Sequence, residues 1–153
     1  MPVRANSLLA LGFAALALSS PAGAQPRARN VRPDPDENLQ WAASVVQLTE
    51  LRGQGDLTAK LFGTAGGDPA MNGLYTYLAF FGSPDEGWRV FRLGDFLSYS
   101  LVSEAPGRLV VEVRESIMDR SSGEIGERRR RVRVTWRAAG GDPPASVAVT
   151  FIP

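Results

Sequence analysis

From Leu74 onwards, clusters of glycine, proline and aspartate recur about every ten residues, with β-branched and aromatic side chains between them. Punctuation at that spacing leaves no room for long helices and predicts antiparallel strands joined by tight turns. Residues 74–81 read as an aromatic-rich strand, 82–87 as its turn and 88–93 as the return strand. Gly94 and Asp95 are expected to bend the chain into residues 96–103. There Leu97, Tyr99 and Leu101 share one face, and Ser98 and Ser100 the other. After a turn at Ala105-Pro106-Gly107, residues 108–115 place Leu109, Val111 and Val113 inward, with Glu112 and Arg114 outward. A polar connection over 119–126 leads to residues 127–137, with Val132, Val134 and Trp136 on one face. Residues 140–144 turn the chain into a last strand, 146–152.

This pattern indicates a mainly β chain, built as an antiparallel β-sandwich or a strongly curled sheet. Residues 74–81 are apolar on both faces. That predicts a central strand, covered on each side by a second sheet or by the segment 35–52.

Residues 35–52 carry two patterns at once. Asp34 is placed to cap a helix, with Pro35 at its first position, Asp36 and Glu37 in its first turn and Gly53 as a stop. Residues 44–51 (SVVQLTEL) equally suit a strand, which Gly53 to Asp56 could turn into residues 57–62 (LTAKLF). Periodicity does not separate the two; the expectation is a helical start giving way to a strand. Residues 63–73 are a loop by composition.

The first 24 residues have the order of an export signal: Arg4, an unbroken apolar run over 8–18, then Ala22-Gly23-Ala24 before Gln25. The run is far short of the roughly 20 residues that span a bilayer. Cleavage after Ala24 is therefore expected, leaving no transmembrane segment. Residues 25–33 would then be a flexible basic arm, and 34–153 a single β-rich domain. The compartment expected is a bacterial periplasm, with secretion beyond it as the alternative.

Composition narrows the chemistry. The chain holds no cysteine and no histidine. Stability must then come from burial and backbone hydrogen bonding rather than disulfides. Serine–histidine and cysteine–histidine catalysis are excluded, as are zinc sites built from imidazole or thiolate. Lys60 is the only lysine, which disfavours Schiff-base chemistry. No cofactor is expected. Without Arg4 the charges balance, so nothing draws the whole chain to nucleic acid or anionic lipid.

Three groups of residues are candidates for a site. The run Arg128 to Arg131 continues in Arg133 and Arg137. In a strand, Arg129, Arg131, Arg133 and Arg137 project on one face. They form either an anion-binding stripe or a solvated ladder against Glu112 and Glu115. Tyr75, Tyr77, Phe80, Phe81, Trp88, Phe91, Phe96 and Tyr99 concentrate the aromatics. Core filling is the expected role, and an apolar ligand pocket lined by Tyr75 and Tyr77 is the functional one. Paired carboxylates acting on a glycan are the one catalytic scheme left open, and Asp85 with Glu86, and Asp95, sit at turns where a cleft could form. The glycine-rich segment 63–69 lacks the Gly-Lys-Ser/Thr ending of a phosphate loop.

The residue inventory thus favours a non-enzymatic binding or assembly module of the cell envelope, with an unidentified protein or envelope ligand as partner. A carrier of an apolar small molecule or lipid, and a small carboxylate-dependent glycan-acting enzyme, are the alternatives.

Overall fold

Alternation and turns together produce two meanders. The computed structural model describes residues 31–33, 35–68, 71–137 and 141–153. The export signal, most of the basic arm, Asp34 and the first residue of the 140–144 turn lie outside the described residues. The elements of the compact unit Asp34–Pro153 run in the order α1 (Glu37–Ala42), β1 (Val45–Leu51), β2 (Ala59–Ala65), β3 (Leu74–Phe81), β4 (Trp88–Phe96), β5 (Ser98–Ala105), β6 (Arg108–Met118), β7 (Ile125–Trp136) and β8 (Val147–Ile152). Two four-stranded antiparallel sheets result, ordered β1-β2-β3-β4 and β5-β6-β7-β8, and they do not close into a barrel.

The ambiguous segment contains both structures in sequence. The helix is confined to six residues rather than 35–52. It is capped by Asp36, whose carboxylate accepts from the Asn38 N–H at 2.8 Å. Ser44 ends it by bonding back to the Trp41 carbonyl at 2.7 Å. The β-branched pair Val45-Val46 then favours pairing with β2 over further helix. Gly53 follows β1 and stops no helix.

Other boundaries differ from expectation: β6 runs on to Met118 and β7 begins at Ile125, inside the polar connection expected over 119–126. Gly94 and Asp95 do not bend the chain; they lie inside β4. Thr76 pairs with Gly94 and Tyr77 with Arg92, so Leu93 is an extra residue, and this bulge absorbs the irregularity. The change of sheet comes at Leu97, whose N–H already bonds the Arg114 carbonyl of β6 at 2.8 Å. The strand expected over 57–62 is β2, shifted toward the C-terminus, so Gly63, Thr64 and Ala65 belong to the sheet and not to the loop.

The inward rows form one core. Leu61, Leu78 and Phe80 from the first sheet and Leu109, Val111, Val113, Val132 and Val134 from the second are all essentially without solvent exposure. Phe80 meets Trp136 across the gap, edge to face, with ring centroids 5.1 Å apart. At one margin Gln54 ties the layers, donating to Glu104 at 3.2 Å and accepting from the Gly107 N–H at 3.2 Å. At another, Asn72 donates to the Ser116 carbonyl at 3.1 Å and accepts from its N–H at 2.7 Å. Asn72 has a left-handed backbone (φ 63°), which asparagine tolerates better than other non-glycine residues.

β3 is interior to its sheet, as its apolar faces predict. Only one of those faces is covered by a second sheet. The other carries Tyr75, Tyr77 and Phe81, all half-buried. Among the aromatics, Phe80, Phe96 and Tyr99 fill the core, whereas Tyr75, Tyr77 and Trp88 do not.

Candidate functional site

The basic run splits by strand alternation into two sets with different surroundings. Arg129, Arg131 and Arg133 project from the outer face of β7, opposite Arg114, Glu112 and Val110 of β6 respectively. Arg128 and Arg130 point to the other face, where Glu115 accepts from Arg128 at 2.9 Å and lies 3.7 Å from Arg130. Glu115 therefore ladders with the even-numbered arginines, not with the outer row. Arg137 lies beyond the end of β7 and is not part of that row.

On the outer face Arg114 Nη2 donates to both oxygens of Glu127, at 2.6 and 2.7 Å. This hydrogen bond, then the charge of Arg114, holds the Glu127 carboxyl below its ordinary range; the charge of Arg129 adds to the effect. Glu127 is thereby committed to Arg114. Among the described residues, the guanidiniums of Arg129, Arg131 and Arg133 make no hydrogen bond and no ion pair within 4 Å; their backbones are held in the ladder. Arg129 and Arg131 border a groove of about 630 Å³, together with Glu112, Arg130, Phe151 and Ile152. The Arg130 guanidinium stacks over the Phe151 ring at 3.7 Å, a cation–π contact that holds both at the groove's edge. The groove thus combines free guanidinium donors with an apolar border. Guanidinium presents a planar fork of donors that fits carboxylate or phosphate oxygens.

A second groove, of about 620 Å³, lies on the outer face of the first sheet. Tyr75 and Tyr77 line it with Trp41, Val45, Phe62 and Val90. Phe62 and Tyr77 stack at 5.2 Å, and Tyr75 donates its hydroxyl to the Gly66 carbonyl at 2.9 Å. Arg92 lies over the Tyr75 ring at 4.4 Å while bonding Asp95 through Nε and Nη2. One face of that ring is thereby occupied. Trp41, from α1, is the most exposed aromatic of this groove.

The turn carboxylates do not form a pair with Asp95. Asp85 and Glu86 precede Trp88, and Asp95 lies seven residues along β4, roughly 20 Å away at strand rise. Asp95 is also bound to Arg92. Among the described residues no cluster of three or more metal-ligating side chains exists, and no helix is long and apolar enough to cross a membrane.

Alternation alone singles out Arg129, Arg131 and Arg133. Phe151 and Ile152 are missed by it, because their place beside the arginines depends on the register of β8 against β7, where Arg131 pairs with Ile152 and Val132 with Phe151. Trp41 is missed because a six-residue helix has too few turns to show a face.

Comparison with protein-family models, with curated proteins and with solved structures finds no match to this chain.

Proposed function

We propose that this protein is an exported, non-enzymatic binding module of the cell envelope that takes an acidic group of its partner in the groove beside Arg129 and Arg131. The observation carrying this reading is that these guanidiniums, with Arg133 in the same row, make no hydrogen bond or ion pair within 4 Å to a carboxylate among the described residues, although Arg131 lies opposite Glu112 and the charge of Arg129 acts on Glu127, while Arg114, Arg128 and Arg130 are ion-paired. A carboxylate or phosphate would supply the missing acceptors, and the apolar border at Phe151 and Ile152 would take the adjoining carbon atoms. The leader, if cut after Ala24, delivers such a module beyond the inner membrane; the intact mass of exported protein should then begin at Gln25.

A fluorescent oligo-glutamate peptide and phosphatidylglycerol vesicles serve as the two anionic probes. Replacing Arg129, Arg131 and Arg133 together by glutamine should weaken binding of the preferred probe by well over tenfold, since each charged hydrogen bond contributes about 1.5–3 kcal/mol. Binding should also weaken with salt, because exposed charges are screened. Equal, salt-independent binding by the triple variant would sink the proposal.

A second reading rests on the groove at Tyr75 and Tyr77, whose volume of about 620 Å³ suits a small apolar molecule. In that reading Nile red binds the protein and Tyr77→Arg expels it. An unchanged dye titration in the Tyr77 variant would exclude this groove.

A further inference from the structure

The four sheet edges are not treated alike. The β1 edge has a pairing irregularity between Val45 and Gln47, and it carries Glu50. β4 has the bulge at Leu93 and carries Arg89, Arg92 and Asp95. β5 has an irregularity between Leu101 and Ser103, and it carries Glu104. Bulges and charges are the means by which edges resist pairing with other strands. β8, with the sequence VAVTFI, has neither: its pairing to β7 runs unbroken from Val147 to Ile152, and it holds no charge and no proline. Among the described residues no strand lies beyond it.

The side chains on this edge are also incompletely buried. Val149 and Phe151 pair with the fully buried Val134 and Val132, so they share the inward face, yet they remain 37% and 41% exposed. The first sheet does not extend far enough to cover them. The edge is therefore open in two ways: its outer backbone groups point sideways in the plane of the sheet, perpendicular to the strand, with no strand to bond, and an apolar row, with Arg130 stacked on Phe151, faces the interlayer gap.

We infer that β8 is a self-association edge, which pairs antiparallel with β8 of a second copy and joins the β5-β6-β7-β8 sheets of the two copies into one of eight strands. The occupant follows from self-complementarity. A two-fold axis perpendicular to the sheet keeps each residue on its own face, so residues of like parity must meet. An axis at Thr150 sets Val149 against Phe151 of the partner subunit, an aromatic-to-β-branched pair of the kind that stabilises sheets. An axis at Val149 sets Val147 against the partner's Phe151 instead. In either register the strand itself brings no charge to the seam, and the nearest guanidinium, that of Arg130, is stacked on Phe151. β8 itself holds no charge with which a charged foreign strand could pair. The outer arginine rows stay apart: Arg133 and its copy would be separated by three strand spacings, about 14 Å. That exceeds the screening length of about 8 Å at physiological salt, so association should strengthen as salt rises from low values, opposite in sign to binding at the basic groove. The test needs no ligand, and its failure leaves the groove reading standing.

The absence of native cysteine makes the pairing directly testable. Directly opposed residues of an antiparallel pair have Cα atoms about 4.5–5.5 Å apart, within disulfide reach. Under mild oxidation, Thr150→Cys or Val149→Cys should form a disulfide-linked dimer much faster than Ser103→Cys on the β5 edge. Sedimentation equilibrium of the unmodified protein should show a concentration-dependent mass rising toward the dimer. Thr150→Glu should abolish that rise while leaving the melting temperature of the dilute monomer nearly unchanged, since Thr150 lies directly opposite Arg133 of β7. A monomer at all concentrations, or cross-linking at positions 149 and 150 no faster than at 103, would overturn the inference.

Discussion

Replacing Val111 by aspartate tests the sandwich at its middle. Val111 is 1% exposed and pairs with Leu101 on one side and Val132 on the other, none of which can partner a charge. Losing the buried valine side chain costs about 1.5–3 kcal/mol. Burial without a partner raises the pKa of a carboxyl by about 3–5 units; at pH 7 this adds about 4 kcal/mol, the cost of keeping protonated a group that ionises near 3.9 when unfolded, at 1.36 kcal/mol per unit. The sum, about 5–7 kcal/mol, is comparable with the whole stability of a typical domain, about 5–15 kcal/mol. The two parts separate by pH. The introduced carboxyl has a folded pKa above its unfolded one, so stability is retained below the ordinary carboxyl value and lost as pH rises toward the folded value. Val111→Asn has similar size and polarity but does not ionise. Urea unfolding at pH 4 and pH 8 should therefore show the two variants close together at pH 4 and the aspartate variant far less stable at pH 8. Glu112→Gln, on the outer face, should stay close to the parent protein at both. Identical pH dependence of the two Val111 variants would mean that this position is not dry, and the layer assignment would be wrong.

Asn72→Ala should lower stability by about 2 kcal/mol in urea unfolding, through loss of two hydrogen bonds to Ser116 and of a residue tolerant of positive φ; Asn72→Gly should recover the backbone part. The Tyr99 hydroxyl is pushed up to about 12 by burial, slightly countered by a hydrogen bond with Thr49. Its stabilisation is thus complete below the unfolded phenol value near 10 and lost as pH rises toward 12. Absorbance at 295 nm should accordingly show one tyrosine ionising late, and Tyr99→Phe should remove that late step. Glu127 is held below the ordinary carboxyl range by Arg114, so its contribution is present above that range and lost as pH falls through the folded value. Glu127→Gln should flatten the acid limb of the stability profile, and an unchanged limb would show that the pair is idle.

The inward rows of β6 and β7 were legible because each apolar residue alternates with a polar one, leaving one register compatible with a dry face. The switch of sheets at Leu97 was not. A bulge, a bend and a sheet crossing all interrupt alternation in the same way, and glycine at position 94 suggests a bend although the irregularity is a bulge at Leu93, whose side chain stays in the core. Segment 35–52 mixes helix-starting acids with β-branched valines, and pairing with β2 decides between them. For the candidate site, the odd-numbered arginine row follows from alternation. The groove does not, because the register of β8 against β7 sets which residues of β8 lie beside it. Tyr75 and Tyr77 show the opposite limit: an aromatic-rich strand announces burial, but the side on which a second sheet packs is settled by the partner rows of that sheet.

The basic groove is tested most directly by where an acidic probe touches the protein. In nitrogen-15 correlation spectra of labelled protein titrated with oligo-glutamate, shifts should concentrate on the backbone amides and guanidinium Nε–H groups of Arg129 and Arg131, with Phe151 and Ile152 beside them, and should fade as salt is added. Shifts centred on Trp41, Tyr75 and Tyr77, or a spectrum that does not move, would contradict the account.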